Sequence, residues 1–88
     1  MRIVEYTRFP RVGPDRGPRF GFTRDLSASG MCIGTDEPET AGALLRIAIR
    51  DLDGWPSQPC IARVVWCKRA RDGRHWVGLE RLTDTNSR

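Results

Sequence analysis

The chain predicts an all-β fold, a small six-stranded antiparallel β-barrel with little or no helix. Three observations carry that prediction. Short apolar runs rich in β-branched and aromatic residues recur along the chain, and no segment has the periodicity of a helix. Asp-Gly pairs at 53–54 and 72–73 give tight turns between neighbouring runs, which makes the pairing mostly antiparallel. Finally, a sheet of this many short strands leaves two edges exposed unless it closes on itself.

Arg2 to Phe9 forms the first strand, with Ile3 and Val4 early and Tyr6 and Phe9 later, and Pro10 ends it. Residues 10–19 hold Pro10, Gly13, Pro14, Gly17 and Pro18 among Arg11, Arg16 and Arg19, a composition that suits a flexible, basic loop. Phe20 to Leu26 is the second strand, with Phe20, Phe22 and Leu26 on one parity. Asp25-Leu26-Ser27-Ala28-Ser29-Gly30 is a polar turn, and a third strand begins at Met31. Such a turn either satisfies its own backbone through Asp and Ser oxygens or turns those oxygens to a ligand that Gly30 lets approach.

Thr35 to Thr40 is an acidic linker. Leu44 to Asp51 then alternates cleanly, with Leu45, Ile47 and Ile49 on one face and Arg46, Ala48 and Arg50 on the other. Cys60 to Lys68 is an apolar fifth strand. His75 to Leu82 is the sixth, where Gly78 marks a bulge or close packing, and the tail from Thr83 to Arg88 is polar and frayed.

At 88 residues the chain is one domain, with no room for a separate catalytic domain, which makes it a module or one half of a complex. The net charge of +4 favours anionic partners, and the bias comes from arginine, since Lys68 is the only lysine. Arginine's planar fork suits bidentate phosphate recognition and stacking. Single-stranded nucleic acid, bound through Phe20, Phe22 and the basic loop, ranks behind other anions, because scattered acidic residues interrupt any basic stripe. Met1-Arg2 runs into Ile3-Val4-Glu5 without an apolar leader, and no run is long enough to span a bilayer, so the expected location is cytoplasmic with no membrane insertion.

Cys32, Cys60 and Cys67 form no Cys-x-x-Cys pair and read as reduced thiols, and no metal is expected. The lone His75 has no nucleophile beside it, and neither a phosphate-cradling glycine loop nor a dinucleotide fingerprint is present. The chain therefore reads as a non-enzyme without a cofactor. Trp55, Trp66 and Trp76 are each core or stacking platform.

Asp25-x-Ser27-x-x-Gly30, between a strand ending Phe22-Thr23-Arg24 and one beginning Met31-Cys32-Ile33, resembles the D/N-x-S-x-x-G motif of the PilZ domain family. Ala62-Arg63-Val64-Val65-Trp66, followed across a turn by Trp76-Val77-Gly78-Leu79-Glu80, is similar to the last two barrel strands of that family. The resemblance covers about residues 20–82. It implies a PilZ-type barrel without the C-terminal helix of many members, and a receptor module for cyclic di-GMP in bacterial signalling. By position, Asp25, Ser27 and Gly30 carry over to the guanine-reading motif, and Arg8, Arg11 and Arg24 are the candidates for phosphate. Arg8 and Arg11 are spaced R-x-x-R, which departs from the R-x-x-x-R motif of the family. The alternative is a PilZ-like adaptor that binds no nucleotide and acts on a partner protein in motility, pilus or chemosensory regulation.

Overall fold

A computed structural model describes residues 2–9, 17–26, 29–50 and 60–82. Six strands run β1 Ile3–Phe9, β2 Arg19–Leu26, β3 Gly30–Thr35, β4 Leu44–Arg50, β5 Cys60–Arg69 and β6 His75–Arg81, and no helix occurs among the described residues. They close in the order β1-β2-β3-β6-β5-β4, every pairing antiparallel, with β4 returning to β1. The expected barrel is the observed one. The loop at 10–16, the turn at 53–56 and the tail from residue 83 lie outside the described residues.

The interior is filled from alternate positions of five strands. Val4 and Tyr6 of β1, Ile33 of β3, Leu45 and Ile47 of β4, Ala62 and Val64 of β5, and Val77 and Leu79 of β6 are all buried and form one cluster. Each aliphatic residue of this size contributes about 1.5–3 kcal/mol by leaving water. On β4 the expected apolar face does point inward. On β2 the aromatic parity faces outward: Thr23 is buried, whereas Phe20 is exposed and Phe22 only half-buried. The aromatic side of β2 therefore lies on the outside of the barrel.

The order places β4 beside β1 and not beside β3, so residues 36–43 cross over one end of the barrel. Local bonds hold this crossover. Thr35 Oγ1 donates to the Glu37 carbonyl at 2.7 Å, and Gly42, at φ +93°, donates its N–H to the Val64 carbonyl at 2.7 Å. Only glycine reaches such a φ without strain. Glu39 is buried on the crossover and receives Arg8 of β1. At the same end the β5–β6 turn is built as its sequence predicts, with Asp72 Oδ1 accepting from the Arg74 N–H at 2.9 Å and Gly73 at φ +90°.

Candidate functional site

The paired ends of β2 and β3, up to Leu26↔Met31, lie at the opposite end of the barrel. Their pairing runs Thr23↔Ile33 and then Asp25↔Cys32, so Arg24 is the extra residue of a β-bulge. A bulge twists the strand and re-aims the side chains that follow it. Here it turns Asp25 into solvent, its side chain 79% exposed, while the Arg24 guanidinium carbon sits 5.0 Å from the centre of the Trp76 ring. Arg24 Nε is 3.9 Å from Asp25 Oδ2, a loose contact that leaves the carboxylate open to other donors.

The aromatic face of β2 continues this arrangement. Phe22 and Trp76 meet edge to face at 5.7 Å between centroids, and the Arg74 guanidinium lies 5.3 Å from the Phe22 ring centre. Arg74, Phe22, Trp76 and Arg24 thus form a continuous cation–ring–ring–cation run across β2 and β6. The missing side chain of Gly34 makes room for it, since a Cβ there would stand 2.6 Å from Phe22 Cζ. Gly78 does the same under the ring of Trp66. Both described tryptophans therefore lie on the outside of the barrel, Trp66 exposed and Trp76 half-buried. Burial pushes the Cys32 thiol up, with the charge and hydrogen bond of Arg24 opposing that shift.

Gly30 has a backbone role. A Cβ on it would collide with the Leu79 carbonyl of β6, so glycine here permits the close approach of a neighbouring strand. That holds the end of the hairpin against β6, where the Arg81 N–H also donates to the Ser29 carbonyl at 2.8 Å.

The structure brings Arg24, Asp25 and Gly30 to one end of the barrel. Ser27 and Arg11 lie outside the described residues. Arg8 does not join them. The pairing Ile3↔Phe22 and Tyr6↔Arg19 puts Arg8 at the far end of β1, offset from Asp25 by on the order of 20–25 Å at strand spacing. There it donates from Nε to Glu39 Oε1 at 3.1 Å and is raised in pKa by that hydrogen bond and by the carboxylate's charge.

One residue at the site was not singled out from sequence. Arg2, which is exposed, is tied beside the hairpin by its backbone: its N–H donates to Thr23 Oγ1 at 2.9 Å and its carbonyl accepts from the Thr23 N–H at 2.8 Å. Phe22, weighed from sequence as a contact for single-stranded nucleic acid, comes to lie beside Trp76 through register across β3. The parity of β6, with Val77 and Leu79 inward, was the signal that sends Trp76 outward beside Arg24.

The class the fold defines is a closed barrel of six short antiparallel strands, with a cationic and aromatic outer face on β2 and β6. The chain belongs to the PilZ domain family, whose model matches residues 1–88. That membership implies a regulatory module of the cyclic di-GMP type. No curated protein and no solved structure matches the chain.

Proposed function

We propose that this chain is a non-enzymatic cytoplasmic signalling module that binds cyclic di-GMP at the hairpin end of its barrel. One observation carries the reading: the β2 bulge presents the Asp25 carboxylate to solvent directly beside an arginine seated on Trp76. Asp25 would accept from the N–H edge of guanine, and Ser27 would add a hydroxyl in the family's pattern. Among the described residues Arg24 and Arg2 would be cations for phosphate, and the exposed side of Trp76 is a stacking surface. Gly30 supports the hairpin from behind. Arg8 stays with Glu39 in this reading.

A second reading is favoured by that same Arg8 pair. With Arg8 held 3.1 Å from Glu39, fewer arginines remain for phosphate, as suits an adaptor that acts on a partner protein in motility, pilus or chemosensory control. Calorimetry with cyclic di-GMP separates the two. Saturable heat at micromolar ligand, lost in Asp25→Ala, is the expected result. No heat at high micromolar ligand leaves the adaptor.

A further inference from the structure

The crossover end of the barrel carries a pocket whose chemistry differs from that of the hairpin end. It has a volume of about 280 Å³ and is lined by Tyr6, Arg19, Phe20, Asp36 and Glu37. The pairing Tyr6↔Arg19 sets it at the end away from Asp25. Arg19 is half satisfied there. Its Nε donates to Glu37 Oε1 at 3.2 Å, whereas Nη1 is buried without a hydrogen-bond partner among the described residues. A buried donor left in that state has given up its hydrogen bonds to water, and an acceptor placed in the pocket restores one.

The lining determines what kind of acceptor fits. Among the described residues two carboxylates, Asp36 and Glu37, line the pocket with one guanidinium, that of Arg19, so a phosphate or carboxylate ligand is disfavoured here. A polyamine has the right charge and no acceptor for Nη1. At ~30 Å³ per water the space also exceeds what one bridging water needs. Phe20 stands on the rim 56% exposed, an aromatic surface for an aliphatic stem.

We propose that this pocket docks an extended basic peptide segment of a partner protein, one main-chain carbonyl accepting from Arg19 Nη1 and a lysine or arginine side chain lying across Phe20 toward Asp36. A main-chain amide beside a cationic side chain is the chemistry that meets every lining group without burying an unpaired charge. Nucleotide binding at the hairpin end does not enter the argument, and either outcome there leaves this pocket unchanged.

The test is an amide-resolved NMR titration of the full chain with millimolar N-acetyl-lysine-N-methylamide and its glutamate counterpart. The lysine amide is expected to shift Tyr6, Arg19, Phe20, Asp36 and Glu37 in a dose-dependent way, with at least about fivefold weaker response to the glutamate amide. Asp36→Asn should shrink that preference. Arg19→Gln, checked for native circular dichroism, should abolish the response. Silence toward both amides, meaning solvent alone fills the pocket, overturns the proposal. So does an equal response to both, or one that survives Arg19→Gln in a folded chain.

Discussion

Arg8 and Glu39 form an ion pair that is wet on one side and dry on the other. Arg8 Nε stands 3.1 Å from Glu39 Oε1 and Nη2 3.5 Å from Oε2, with the arginine side chain 52% exposed and the glutamate 1%. Glu39 sits on the crossover that closes one end of the barrel, so the pair fastens that segment to β1.

Removing the arginine leaves a buried carboxylate without its counter-ion. Arg8→Ala should therefore destabilise the fold by about 1–3 kcal/mol, below the ~3–5 of a fully buried pair because the guanidinium is half in water. Glu39→Gln, which removes the charge along with the pair, should cost less. Urea unfolding of both variants and of the double substitution reads the coupling. Additive effects would show that the pair holds nothing.

Tyr6 makes the alkaline limb of stability specific. Burial, and then the Glu39 charge, push its hydroxyl from 10.0 up to about 12. The unfolded chain gives up this proton first, so the contribution is complete below pH 10 and is lost as pH rises from 10 through about 12. The loss is worth about 2–3 kcal/mol for this group. Chemical denaturation at pH 9, 10 and 11 should show a steeper fall for the parent chain than for Tyr6→Phe; parallel curves would contradict the assignment.

What could be read from the sequence depended on how local its cause was. The alternation of Leu45, Ile47 and Ile49 and the turn at Asp72-Gly73 each follow from adjacent residues, and both stand as expected. Phe20 and Phe22 mark β2 as a strand without saying which face is inside. The core cluster is drawn from the other five strands, and β2 buries Thr23 in place of its aromatics. The bulge at Arg24 breaks the two-residue period at the position where the side chain matters most. The Arg8–Glu39 pair spans 31 residues and exists because β4 lies next to β1, a fact of strand order that no local pattern records.

The thiols should separate by reactivity. Cys32 is buried and its thiol pushed up by burial, whereas Cys60 and Cys67 are half-buried. Because the thiolate is the reacting form, a disulfide reagent at pH 8 should modify Cys32 at least about tenfold more slowly than the faster of the others. Peptide mapping of the labelled chain identifies the sites, and denaturant should erase the difference. Equal rates in the native protein would mean that β3 opens readily.

The hairpin gives the most direct prediction about ligand. Asp25 is 79% exposed and Arg24 56% exposed, so neither supports the core. Asp25→Ala and Arg24→Ala should leave the unfolding midpoint nearly unchanged. Each removes a charge-assisted hydrogen bond of about 1.5–3 kcal/mol to cyclic di-GMP, which corresponds to roughly 10–100-fold in affinity. Arg24→Ala should also alter tryptophan emission, because the guanidinium lies 5.0 Å from the Trp76 ring centre. By contrast, Gly30→Ala should act through stability, since its Cβ would collide with the Leu79 carbonyl, and any lost binding should follow lost structure. Calorimetry beside thermal unfolding distinguishes the two behaviours. An Asp25→Ala chain that binds as tightly as the parent would remove the hairpin from the site.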